Sequence, residues 1–188
     1  MAVNAGDLRE RLRVLTCAPD GDGLRWTETG RVWAKAEPDS RKNLFSGVGI
    51  GTRGVTFTIR ARPGLTLHQA FFWRGRHCFL TDIAPRTGCP GYWDARAALV
   101  TVSDCRKDAD RQIPGMRFPG VLTEKYAGHD QPDLHAETVT DYVLVTPKAV
   151  ELAPGSWVTA DGAYYRVRVP HLLDPYKNEF EIRRKEDC

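Results

Sequence analysis

From Arg13 onward, apolar and polar residues follow the period of strands. The clearest run is "VTFTIRAR": Val55, Phe57, Ile59 and Ala61 fall on one face, and Thr56, Thr58, Arg60 and Arg62 on the other. That alternation predicts a half-buried strand, ended by Pro63-Gly64. Before it, "RVLTCA" and "LRWTETGRVWAKAEP" read as strands around the turn cluster "PDGDG", and Pro38 stops the second. After it, "AFFWRGRHCFLTDIAP" predicts a hairpin turning at Arg74-Gly75, and "ARAALVTVSDC" a closing strand. Only residues 4–12, "NAGDLRERL", read as a helix. Asn4 is placed to cap it, and Leu8 and Leu12 stand four apart. One short helix with about six strands predicts a small antiparallel barrel or sandwich.

Two stretches break the alternation. Residues 39–54, "DSRKNLFSGVGIGTRG", are polar and glycine-rich, and predict a long mobile loop between two strands. Residues 106–120, "RKDADRQIPGMRFPG", are charged and then punctuated by Pro and Gly, and predict a linker. Beyond it, "TVTDYVLVTP", "SWVTADGAYYRVRVP" and "EFEIRRKE" are again strand-like, with Asp161-Gly162 marking a hairpin. The order of alternating strand, proline, aromatic strand, glycine turn and aromatic strand occurs in both halves. The expected division is therefore a domain over 1–105, a linker over 106–120, and a β-rich domain over 121–188 that is a reduced copy of the first.

Composition adds limits. The 188 residues suffice for one large or two small domains. No run of 18 apolar residues occurs, and the opening "MAVNAGDLRERLRVL" has early charges and no apolar h-region, so no secretory signal is expected. The formal charge of +3 is too small to argue nucleic-acid binding alone. The basic excess lies in residues 1–105, while 106–188 is slightly acidic. Of the five cysteines none forms a C-x-x-C pair, and reduced thiols are expected. A zinc site would need His77, Cys78, Cys89 and Cys105, but neighbours in a strand point to opposite faces.

The candidate chemistry is sparse. "GVGIGTRG", residues 47–54, invites a dinucleotide reading, but an alternating strand follows it and Thr52 stands where a third glycine belongs. No G-x-S-x-G or H-E-x-x-H is present, and the histidines His68, His77, His129, His135 and His171 are scattered. Phe71, Phe72, Trp73 and Phe79 could form a base-stacking platform, although such spacing more often marks a core. No catalytic site and no cofactor are expected.

Five elements across residues 4–105 resemble, in order, the head-tail adaptor or head-closure (stopper) proteins of tailed bacteriophages. They are "NAGDLRERLRVL", "GLRWTETGRVWAKAEP", "FTIRARPGLT", "AFFWRGRHCFLTDI" and "ALVTVSDC". The glycine content of residues 39–54 departs from that family's pattern, and residues 106–188 extend beyond it. The resemblance implies a mainly β protein: a small antiparallel barrel with a short N-terminal helix. It implies a virion protein of the neck, forming a homo-oligomeric ring and helping retain packaged DNA. The implied neighbours are the portal or an adaptor ring on the head side, a tail terminator or tail tube on the other, and duplex DNA in the channel. The long loop would line or plug that channel, with Arg41, Lys42 and Arg53 as a basic collar and Gly47, Gly49, Gly51 and Gly54 allowing movement. The second half would dock on a neighbouring subunit or ring. Two alternatives stay open: a monomeric nucleic-acid-binding barrel using Arg60, Arg62, Arg74 and Arg76, or another small tail component.

Overall fold

The computed structural model describes residues 4–43, 46, 52–108, 115–125 and 141–185. The described chain is built from twelve strands: β1 (Glu10–Asp20), β2 (Gly23–Asn43), β3 (Thr52–Arg60), β4 (Gln69–Trp73), β5 (Arg76–Pro85), β6 (Tyr92–Val100), β7 (Ser103–Asp108), β8 (Arg117–Glu124), β9 (Asp141–Pro147), β10 (Trp157–Ala160), β11 (Ala163–His171) and β12 (Lys177–Arg184). Spatial contacts divide it into two compact units. One comprises Met1–Ala18, Trp26–Phe45 and Gly51–Thr101; the other comprises Pro19–Arg25, Ser46–Ile50 and Val102–Cys188.

The first unit is a closed six-stranded antiparallel barrel. Its strands run β1-β4-β5-β6-β3-β2 around the wall, and β2 closes on β1. The predicted β3 is present, and its register against β6 sets Phe57 opposite Ala95 and Ile59 opposite Trp93. Phe57 is fully buried and meets Phe71 and Trp73 edge-on, at centroid separations of 5.7 and 5.4 Å. Each buried ring of this kind contributes roughly 1.5–3 kcal/mol by removal from water.

The second unit closes in the same way. Its strands run β8-β7-β10-β11-β12-β9, with β9 returning to β8 through pairs such as Leu122↔Leu144. Numbered by chain order within each unit, both rings read first, fourth, fifth, sixth, third, second. The fourth-to-fifth hairpins also match. Arg74-Gly75 has φ of 47° and 79°, and Asp161-Gly162 has 49° and 77°. Two successive positive φ values define the two-residue hairpin whose twist suits flanking strands. The strand order is thus repeated, and the second unit, six strands from Ser103 onward, is a full ring rather than a reduced copy beginning at residue 121. The second core holds Phe118, Leu144, Val158, Phe180 and Ile182, all fully buried.

Three expectations are corrected. The N-terminal helix is one 3-10 turn, Ala5–Asp7, and β1 begins at Glu10. A single turn is too short to nucleate a helix, and Leu12 is buried as a strand residue instead. The linker over 106–120 is strand at both ends, since β7 and β8 form the opening hairpin of the second barrel; residues 109–114 between them lie outside the described residues. In β7, Ser103 and Cys105 point inward while Asp104 and Arg106 point out, so its charges mark a solvated face. Pro119-Gly120 sits inside β8 rather than breaking it: a Cβ on Gly120 would stand 2.7 Å from Leu144 Cδ1 and 2.9 Å from Cys105 Sγ. The third correction concerns the expected loop at residues 39–54. Residues 39–43 and 52–54 are ladder, with Asp39 opposite Gly54, Lys42 opposite Arg53 and Asn43 opposite Thr52, around a bulge between Asp39 and Lys42. The β2–β3 register carries on past the barrel wall and overrides the weak strand preference of the polar residues.

Candidate functional site

The predicted channel residues fall at the end of this β2–β3 ribbon. Arg41 and Lys42 lie on its first strand and Arg53 and Gly54 on its second. Arg53 is exposed and Gly54 is buried. Gly47, Gly49 and Gly51 lie outside the described residues. The register pairs Lys42 with Arg53. Within the second unit, Ser46 is buried and its hydroxyl donates to Glu179 Oε2 at 2.7 Å. Glu179 is itself buried and paired with Lys177 at 3.1 Å.

A different surface on the first barrel carries more chemistry. An open groove of about 590 Å³ is walled by Leu8, Val32, Trp33 and Ala61. Trp33 is 55% exposed, unusual for the largest apolar side chain. Arg31, Arg60 and Arg62 line the same groove. The β2–β3 register brings the strand ends together: Ala34 pairs with Ile59, so Trp33 and Arg60 occupy the next position along the ladder. Arg62 Nη1 donates to the Arg31 carbonyl at 3.3 Å, and Arg31 is paired with Glu28. Among the described residues Arg60 has no acidic partner. The groove is thus an apolar floor with a basic edge.

The other basic and aromatic candidates separate from it. Arg74 is bound to Glu10, whose carboxyl is held below the usual range by Arg74 and by the Trp73 indole N–H. Phe71, Trp73 and Phe79 are buried in the barrel, so the stacking platform over these residues is core. Phe72 is half-buried beneath Arg13, 4.6 Å from the ring centroid. Arg76 is exposed.

The cysteines and His77 do not assemble into a site. No cluster of three or more metal-binding side chains occurs among the described residues. Burial pushes the thiol of Cys17 up to about 11 and those of Cys78 and Cys105 up to about 12, which leaves little thiolate at neutral pH. His77 is buried against Trp26, centroids 5.1 Å apart, and desolvation lowers its pKa to about 4.

The second barrel presents a surface that the sequence pattern did not reveal. In the β11–β12 connection Leu173 is fully exposed, Leu172 is 49% exposed and Tyr176 is 37% exposed. The loop is nevertheless held firmly. Lys148 Nζ donates to the carbonyls of Leu172 and Asp174, both at 2.8 Å. Asp174 Oδ1 accepts the N–H groups of Tyr176 at 2.8 Å and Lys177 at 3.1 Å. Such side-chain-to-backbone bonds fix a turn without a packed core beneath it. The run "HLLDPY" looks like any proline-bearing loop, and only the fold shows that its leucines point outward.

No protein-family model matches the chain, and no curated protein is significantly similar to it.

Proposed function

We propose that the chain is a structural virion protein of the bacteriophage neck, a subunit of the ring that joins the portal to the tail and helps hold the packaged genome. One observation carries this reading. The five stretches that resemble head-closure proteins fall, in order, on the 3-10 turn and β1, then β2, β3, the β4–β5 hairpin and the end of β6; apart from the start of β2 and the tail of the last stretch, which runs on into β7, they lie in the first barrel. The antiparallel barrel that the resemblance implies matches the first unit, whereas the short N-terminal helix it also implies is a single 3-10 turn. The second barrel is an addition that enlarges the surface available to neighbours. In this role the β2–β3 ribbon faces the DNA channel. The opposed Lys42 and Arg53, with Arg41, supply positive charge that a phosphate backbone would neutralise without reading sequence.

The experiment is deletion of the gene from the phage that carries it, with complementation from a plasmid. The expected result is heads that have lost DNA and unattached tails, rescued by the wild-type copy. Normal yields of infectious particles from the deletion would overturn the reading. Replacing Arg41, Lys42 and Arg53 together by Ser in the complementing copy tests the ribbon: the proposal expects DNA leakage from otherwise assembled particles.

A second reading, a nucleic-acid-binding barrel acting alone, is favoured by the exposed Trp33 beside Arg60 and Arg62. It requires micromolar or tighter duplex or single-strand binding with a steep salt dependence. Binding with those properties by the isolated monomer would select it over the neck.

A further inference from the structure

The exposed loop of the second barrel presents apolar side chains around one carboxylate, and the groove of the first an apolar floor edged by arginines. On the loop Leu172, Leu173 and Tyr176 are exposed on either side of Asp174, with Lys148 against the Leu172 and Asp174 carbonyls. The groove is concave, apolar and basic: Leu8, Val32, Trp33 and Ala61 beside Arg31, Arg60 and Arg62. We propose that the 172–176 loop of one copy seats in the Trp33 groove of a second copy. This deepens the reading of the chain as an assembling subunit and rests on it.

Three features support the match. A fully exposed leucine on a loop pinned by Lys148 and by an Asp174 turn loses little conformational freedom on docking. Trp33 is the residue type most enriched among those that dominate interface energy, and it stands beside arginines, another such type. Asp174 uses Oδ1 for its own turn, which leaves Oδ2 for a guanidinium, and Arg60 has no acidic partner among the described residues. Because the two surfaces differ, the contact is head-to-tail. It generates a ring when its rotation closes and a fibre when it does not.

The test uses two variants of the full chain, Ala61→Cys and Leu173→Cys, each with Cys17 and Cys188 replaced by Ser. Ala61 and Leu173 are both exposed. The variants are mixed, oxidised with copper-phenanthroline and mapped by peptide mass. The expected product is a disulfide-linked dimer joining 61 to 173, at least tenfold more abundant in the mixture than in either variant alone. No such link in the mixture, or a dominant 173-to-173 link, overturns the proposal. Leu173→Asp is expected to weaken self-association at least tenfold by sedimentation while leaving the unfolding midpoint unchanged. Unchanged association also overturns it. Duplex DNA that protects Ala61→Cys from alkylation, and loses affinity with Arg60→Ser, would make the groove a nucleic-acid site instead. The neck role is scored separately. Virions that contain the chain but show no 61–173 link remove the contact and keep the role; a link in purified protein with the chain missing from virions removes the role and keeps the contact.

Discussion

At the connection between the fifth and sixth strands, the two barrels put the same place in the ring to different use. In the first barrel Arg86 turns back onto the wall: its Nη1 donates to Thr58 Oγ1 at 2.7 Å and to Asp94 Oδ1 at 2.8 Å, and the Thr58 hydroxyl donates to the same Asp94 oxygen. That connection is polar and closed on itself. In the second barrel the equivalent connection carries Leu172, Leu173 and Tyr176 outward. The interiors differ too. The first is centred on an edge-to-face cluster of Phe57, Phe71 and Trp73, the second on valines and leucines around Phe118 and Phe180, with Tyr142 edge-on to Tyr165 at 5.6 Å. Strand order and turn geometry constrain only the wall. Any set of inward residues that fills the space will do, and the connections are free to acquire a separate role.

The comparison can be broken most forcefully in the cores. Phe57 and Phe180 are each fully buried in separate clusters. Phe57→Ala and Phe180→Ala should each cost about 3–5 kcal/mol. Hydrogen exchange should show lost protection confined to β1–β6 for the first and to β7–β12 for the second. Loss spreading equally through both barrels from either substitution would mean that the two cores are not independent.

His77 gives a sharper asymmetry, because it is a buried histidine of the first barrel. Its pKa is lowered to about 4 by desolvation, so the native state holds it neutral. The unfolded chain binds the proton near pH 6.5, before the folded chain does. Its stabilising contribution is therefore complete above about pH 6.5 and is lost as the pH falls toward 4, by about 3 kcal/mol in all. The first barrel should show this acid sensitivity. His77→Phe should flatten it, an effect measured as the difference between wild-type and variant urea midpoints at pH 7 and pH 4.5. An unchanged pH slope would show that His77 is solvated.

The alternation in "VTFTIRAR" and the Arg74-Gly75 and Asp161-Gly162 pairs made β3 and both central hairpins legible from the residues alone, because a period of two and a two-residue glycine turn are local signals. Leu8 and Leu12 satisfy a helical spacing without the length to support it, so the residues around the 3-10 turn carry a helix signal that the fold does not follow. The β7–β8 hairpin was hidden by charges that face outward and by a proline and glycine that fit inside a strand. The Trp33 groove joins residues from the N-terminal segment, β2, and β3 with the residues just after it, so it exists only once register is known. The Leu172–Leu173 pair carries no periodic signal at all.

The smallest effect tests the repeated turn itself. Gly75 and Gly162 have φ of 79° and 77°, and a Cβ on either would meet nothing within 4 Å. Alanine at these sites therefore meets a backbone penalty and no packing penalty. The cost of placing an L-residue in the left-handed region is about 1 kcal/mol. If the two hairpins are equivalent, Gly75→Ala and Gly162→Ala should shift the stability of their own barrels by the same amount, read by denaturant titration with hydrogen exchange to assign each loss. A cost at one site and none at the other would mean that one hairpin can re-form with a different turn. The repeat would then hold for strand order but not for the hairpin that joins the fourth and fifth strands. Equal costs would extend the likeness of the barrels from strand order down to single dihedral angles.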